Sequence, residues 1–277
     1  MTSTSPLENT EIPSTTNFIS QGAGSPVILI HGMSASLHDW DYLLPELDRA
    51  GYAGYALDLL GHGDSPKPAS RAYQLDWLTD HYLAWAESLD LNRPAVLIGH
   101  SLGGYFALEH ARRFPSSVRA LVLVNPFYTV SQLPPALRLT YRHGSLGGLI
   151  AGRTPEWLYR IIIDATSLAM GHSSGALHSL PVEVRAQTAL DYIRTAPGVY
   201  NLLNTGPEFR PHLSSIAAPA LVAWGELDST LRPSSFQELV RSLPHATGQS
   251  VRAGHVPHQS NAGWFNELVL EFLASLD

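Results

Sequence analysis

Hydrophobic positions along the chain follow two rhythms. Unbroken apolar runs occur at Val27-Ile28-Leu29-Ile30, Ala95-Val96-Leu97-Ile98, Ala120-Leu121-Val122-Leu123-Val124 and Ala220-Leu221-Val222-Ala223-Trp224. Such runs mark strands covered on both faces, as in a parallel sheet. Tyr55-Ala56-Leu57-Asp58 and a weaker stretch at 248–252 add two strands, and 16–20 predicts an edge strand turned by Gln21-Gly22-Ala23-Gly24. Between these runs the apolar spacing lengthens to that of amphipathic helices. The pattern predicts helices over 41–50 (closed by Gly51), about 75–89, 105–114 (stopped by Pro115), 235–243 and 262–273. Strands alternating with helices at this spacing predict an α/β chain: a mostly parallel twisted sheet flanked by helices on both faces.

The alternation breaks between Tyr128 and His212. No good strand falls there; helical patches at 155–170 and 182–193 are separated by Gly/Pro-rich joints near 144–152 and 196–207. The expected organisation is a core made of residues 1–127 and 213–277, with a helical cap inserted over 128–212. Residues 1–12 read as a loose tail. No internal repeat or low-complexity tract is present.

Chemistry enters at Gly99-His100-Ser101-Leu102-Gly103-Gly104, between the Ala95–Ile98 run and the 105–114 helix. A strand that turns into a helix within a few residues holds its serine in a strained backbone conformation, the context of a nucleophile elbow. Small residues at 99 and 103 let strand and helix pass closely. The helix N-terminus leaves N–H groups unsatisfied and carries partial positive charge, both suited to an oxyanion. Gly171-His172-Ser173-Ser174-Gly175 repeats the same short pattern without an incoming strand or an outgoing long helix, so Ser173 reads as a loop serine.

A serine hydroxyl needs a base within hydrogen-bond reach and a group that orients the base. In a parallel sheet these groups sit in loops beyond the C-terminal ends of strands. Asp228 follows the 220–224 run and His255 follows the 248–252 stretch, giving the order Ser…Asp…His. Glu226 and His258 lie close enough in sequence to compete for the two supporting roles.

Ile30-His31-Gly32, Asp58-Leu59-Leu60-Gly61-His62-Gly63-Asp64-Ser65, Gly99 to Gly104, Trp224-Gly225-Glu226-Leu227-Asp228 and Gly254-His255 occur in that order. From about residue 16 onward the chain resembles the α/β-hydrolase superfamily, in its capped, cofactor-free branch. The resemblance implies Ser101 as nucleophile, His255 as general base and then acid, and Asp228 as its orienter. It also implies an oxyanion hole from the backbone N–H groups of Met33 and Leu102. The family acid sits four residues after the tryptophan position and the family base directly follows the glycine, which favours Asp228 over Glu226 and His255 over His258. Some relatives carry the acid one strand earlier; here that position holds Asn125-Pro126. His31 and His62 read as structural. His100 reads equally as pocket lining or packing, and Trp157 and Tyr141 are candidate pocket residues from the cap.

The remaining composition narrows the classes. The chain of 277 residues has a net charge of −7 and no cysteine. The acidic balance, without a Lys/Arg cluster, argues against a nucleic-acid partner. The lack of cysteine removes disulfide and thiolate chemistry. None of the 13 histidines falls in an H-x-x-x-H or H-E-x-x-H pair on a predicted helix, so no metal is expected. Gly61-His62-Gly63 lacks the phosphate-loop lysine and the full dinucleotide pattern, and no cofactor is expected. No signal peptide or membrane span stands out, which makes a cytoplasmic enzyme with a small-molecule substrate the expectation.

The expected reaction is hydrolysis of small or medium, largely apolar carboxylic esters through an acyl-enzyme. Serine at position 101 argues against the epoxide-hydrolase and haloalkane-dehalogenase chemistries, which need a carboxylate nucleophile. Carbon–carbon bond hydrolysis, lactone opening and perhydrolysis share the same triad. A ligand-binding, receptor-like relative with slow turnover is the alternative from another class.

Overall fold

The computed structural model describes residues 15–68, 73–135, 138, 154–155, 157–162, 165 and 180–276. Seven strands form one sheet: β1 (Phe18–Gln21), β2 (Ser25–Ile30), β3 (Tyr52–Leu57), β4 (Ala95–His100), β5 (Val118–Val124), β6 (Ala220–Gly225) and β7 (Ala246–Val251). Their spatial order is β1-β3-β2-β4-β5-β6-β7. Only β1 is antiparallel, paired with β3 at the edge; every other pairing is parallel.

Alternation along each strand divides the interior in two. Ile28, Ile30, Leu97, Leu121, Leu123 and Val222 point into one apolar layer. Val27, Leu29, Val96, Ile98, Val122 and Leu221 point into the other. The first layer is closed by α2 (Leu75–Ser88), α3 (Leu102–Arg113) and, past the middle of the chain, the helix Pro233–Ser242. The second is closed by α1 (Leu44–Arg49) and the C-terminal helix Ala262–Ala274. Burial on both faces explains why these strands carry apolar runs rather than alternating polarity.

The expected architecture is present, with shifted boundaries. The helix expected over 41–50 begins only at Leu44, after a 3-10 turn over Leu37–Trp40. Pro45 lacks an N–H and therefore belongs in a first turn. The elbow helix starts three residues earlier than expected, at Leu102, and so includes Gly103 and Gly104. Apolar spacing misses them because they pack through their backbones.

The chain reverses its direction of travel across the sheet at β2. From β2 it moves outward to β3, then returns to place β4 on the other side of β2. Such a switch point opens a crevice at the C-terminal strand ends. Ile30 is paired with Gly99, which brings the loop after β2 beside the turn after β4.

Of the segment 128–212, the described parts include α4 (Val182–Arg194) and two 3-10 stretches, Pro197–Thr205 and Arg210–Ser215. Tyr141 and Ser173 lie outside the described residues. Helix α4 seats on the loops after β2 and β3: the Tyr42 hydroxyl donates to Glu183 at 3.0 Å, and Arg194 pairs with Asp64 at 3.3 Å. No helix among the described residues is long and apolar enough to cross a membrane.

Asp191, on α4, is buried at this contact. Burial pushes its carboxyl up to about 7, while hydrogen bonds from Ser36 and Gln187 pull the other way. The folded chain thus keeps a proton that the unfolded chain releases from about pH 4 upward. The stability this contributes is complete below that range and is lost as pH rises through 7. Asp191→Asn, neutral at every pH, is expected to match wild type near pH 4 and to exceed it at pH 8 by up to about 4 kcal/mol. Thermal denaturation of both proteins at the two pH values checks this.

Candidate active site

Ser101 stands between β4 and α3 with φ 50° and ψ −113°, a left-handed backbone rare for a residue with a side chain. The turn holds it there. Its N–H donates to the Val124 carbonyl at 2.9 Å, and its carbonyl accepts from Gly104 and Phe127 at 3.0 and 2.8 Å. A Cβ on Gly103 would collide with the Ile30 carbonyl, and one on Gly99 with the Gly103 carbonyl. Helix α3 can press against the ends of β2 and β4 only because both are glycines.

His255 follows β7 and reaches back to the turn. Its Nε2 is 3.1 Å from Ser101 Oγ, and its Nδ1 is 2.8 Å from Asp228 Oδ2. The Asp228 side chain is fully buried and the His255 side chain is 21% exposed. Asp228 sits in the loop after β6 with all its acceptor capacity used. Oδ1 accepts from the Thr230 and Leu231 N–H groups at 2.8 and 3.0 Å, and Oδ2 also accepts from Asn125 Nδ2 at 2.6 Å. Burial alone would raise its carboxyl. The His255 charge and hydrogen bond, with the Leu231 and Asn125 contacts, outweigh burial and hold it below the usual carboxylate range.

Met33 and Leu102 line a small, mostly apolar pocket at Ser101, together with Leu75, Phe127, Leu202 and Leu231. Among the described residues neither the Met33 nor the Leu102 N–H finds an acceptor. Leu102 is the first residue of α3, so its N–H belongs to the open end of the helix.

Other predicted residues fall elsewhere. Glu226 is turned to Ser250 at 2.9 Å on the surface. His258 is buried between Trp40 and His100, away from the Ser101 hydroxyl. His100 is not among the pocket-lining residues; it is buried, with Nδ1 3.1 Å from Asp39 and Nε2 3.1 Å from the His255 carbonyl. Trp157 is 62% exposed. His31 takes the Leu59 N–H on Nε2 at 2.9 Å and meets the Gly32 carbonyl through Nδ1 at 2.6 Å. Burial lowers both His31 and His62, the latter to about 3, so each is neutral.

Two residues at the site had no motif to announce them. Asn125 carries φ 41°, and its side chain spans Asp228 and the Gly225 N–H. A non-glycine residue in that conformation at a strand end was the detectable consequence, invisible to pattern. Asp39 is the second.

The sequence model of the alpha/beta hydrolase fold matches residues 25–262. This chain belongs to the α/β-hydrolase fold family. It is 30% identical to the dihydrolipoyllysine-residue acetyltransferase component of the acetoin cleaving system of Pseudomonas putida, over 90% of this chain and 64% of that protein. The chain thus spans less than two thirds of that relative. It is 28% identical to the pimeloyl-[acyl-carrier protein] methyl ester esterase of Neisseria meningitidis serogroup C, over 89% of this chain and 93% of that one. A thermophilic esterase from Thermogutta terrifontis superposes with a TM-score of 0.77 at 21% identity, covering 94% of this chain and 93% of that chain. At that identity the likeness speaks for fold. Together the family and the hydrolase names within it support an enzyme of hydrolytic type.

The elbow makes a direct prediction about this α/β-hydrolase. Gly103→Ala is expected to lose about 1–3 kcal/mol of stability through overpacking against Ile30. Gly263→Ala meets nothing within 4 Å near the start of the last helix and is expected to gain up to about 1 kcal/mol. Urea denaturation of the pair checks both signs.

Proposed function

We propose that this chain is a serine hydrolase of small or medium, uncharged carboxylic esters, acting through an acyl-enzyme. The observation that carries the reading is the continuous chain Ser101 Oγ, His255, Asp228, with hydrogen-bond distances of 3.1 and 2.8 Å, beside two N–H groups that have no acceptor among the described residues. The apolar walls of the adjoining pocket suit an apolar acyl or alcohol group. Leu202 and Pro207 of the segment 128–212 line that pocket and α4 rests on the core loops, which supports reading the segment as a cap.

In this mechanism the Ser101 hydroxyl attacks the ester carbonyl carbon as His255 Nε2 takes its proton. The oxyanion forms facing the Met33 and Leu102 N–H groups. Such donors, aimed where charge develops, contribute about 2.7–4 kcal/mol each. Asp228 keeps His255 in the tautomer with hydrogen on Nδ1 and balances the imidazolium. His255 then gives its proton to the departing alkoxide, leaving an ester on Ser101. A water molecule, deprotonated by His255, attacks that ester, and the carboxylic acid leaves as Ser101 recovers its proton.

Release of p-nitrophenol from acetate, butyrate and octanoate esters tests the reading. Saturable turnover with kcat of about 1 s⁻¹ or more is expected on the best ester, falling by at least about 1000-fold in Ser101→Ala. Turnover retained in Ser101→Ala would remove Ser101 from the reaction. Asp228→Asn, which leaves His255 the wrong tautomer, is expected to lower kcat by about 10⁴-fold.

A further inference from the structure

Asp39 lies in the 3-10 turn Leu37–Trp40, is buried, and takes no part in the steps above. Its Oδ1 accepts from Gln259 Nε2 at 3.1 Å. Its Oδ2 accepts from the Gly32 N–H at 3.3 Å and meets His100 Nδ1 at 3.1 Å. Each partner belongs to a different segment of the site: the turn after β2, the end of β4 and the short helix Pro257–Ser260. Gly32 precedes Met33, His100 precedes Ser101, and Gln259 lies four residues beyond His255. His100 adds a second tie to the base loop, since its Nε2 is 3.1 Å from the His255 carbonyl.

Asp39 Oδ2 can only accept, so an N–H on His100 Nδ1 completes that contact. Burial alone would raise the Asp39 carboxyl; the His100 hydrogen bond and charge outweigh it and hold the group well below the usual range. Removing the carboxylate leaves the Gly32, His100 and Gln259 donors without their shared acceptor. Gly32 has no room for a side chain: a Cβ there would lie 2.8 Å from His100 Nδ1 and 3.3 Å from Ser101 Cβ. The Gly32 and His100-Ser101 segments are thus in contact as well as tied.

We propose that Asp39 is a positioning residue for the hydrolase reaction, the carboxylate that registers the Gly32-Met33, His100-Ser101 and His255-Gln259 segments against one another, with His100 extending the link to the backbone of His255. The proposal rests on the serine-hydrolase reading. Asp39 touches no reacting atom. Its effect is on how well Ser101 Oγ, His255 Nε2 and the Met33 N–H hold their common geometry, where a displacement of about 1 Å costs about 100-fold in rate.

The test separates positioning from folding by counting working sites. Wild type, Asp39→Ala, Asp39→Asn and Gln259→Ala are titrated with a fluorophosphonate that labels the active serine, and kcat is expressed per labelled serine. Asp39→Ala is expected to lower this kcat by about 100-fold with KM within about threefold. Asp39→Asn should recover most of it, because an amide oxygen at the Oδ2 position still accepts from Gly32 and from His100 Nδ1–H, and Gln259 can turn its own amide oxygen to the new N–H. Gln259→Ala, which releases only the base loop, should fall between wild type and Asp39→Ala; it decides the matter if Asp39→Ala does not fold.

An unchanged kcat per labelled serine in Asp39→Ala, or in Gln259→Ala where that variant decides, overturns the proposal. Asp39, His100 and His258 also place one ligand atom each within 4.8 Å of one another. Elemental analysis of wild type is therefore part of the test: one equivalent of tightly bound zinc would make His100 Nδ1 a ligand instead of a donor and overturn the assignment. No labelling and no ester turnover in wild type would overturn the serine-hydrolase reading itself, and this proposal with it.

Discussion

The structure of the site depends on one steric constraint, the distance at which α3 can cross the ends of β2 and β4. Two backbone surfaces meet there with no side chain between them, at Gly99 and Gly103. That contact places the first turn of a helix, with its open N–H groups, at the edge of the sheet. It also forces Ser101 into a conformation that costs on the order of 1–3 kcal/mol. Bonds to Val124, Gly104 and Phe127 and two apolar layers beneath the turn hold it in place. Strain at the serine and openness of the helix end have one origin.

Three buried aspartates show how the same physics gives opposite outcomes. Asp228 and Asp39 are surrounded by donors, including a histidine each, and stay ionised despite burial. Asp191 has hydrogen bonds from Ser36 and Gln187 and only a weaker pull from the His38 charge, and burial wins. The balance between desolvation and partner charge, rather than depth alone, sets the state of each carboxyl. The two ionised groups stand in the core loops around Ser101, and the third stands where α4 meets those loops. Electrostatic order is strongest where geometry must be kept.

Much of the architecture was legible in sequence because parallel strands buried on both faces leave continuous apolar runs, as at Val27–Ile30 and Ala120–Val124. Ser101 and Asp228 each follow such a run, His255 follows the weaker 248–252 stretch in the order Ser…Asp…His, and the structure brings Ser101 to His255 and His255 to Asp228 within hydrogen-bond distance. Helix starts were less legible. Gly103 and Gly104 carry no apolar side chain, yet both are buried through their backbones. Asp39, His100 and Asn125 were illegible in a different way. Asp39 meets His100 and Gln259 at separations of 61 and 220 residues and Asn125 meets Asp228 at 103, and no local spacing encodes contacts at such range. His100, weighed between packing and pocket lining, is buried on Asp39 and turned from the pocket at Ser101.

The pairing of β6 with β7 at the sheet's far edge has a consequence in time. Ribosomes deliver the N-terminus first, so the strands that carry Gly32 and Ser101 emerge long before the segment bearing His255. Until β7 docks, the hydroxyl at position 101 stands beside an empty place and has no base to draw its proton. In the proposed mechanism the base therefore reaches Ser101 only with the last strand of the sheet.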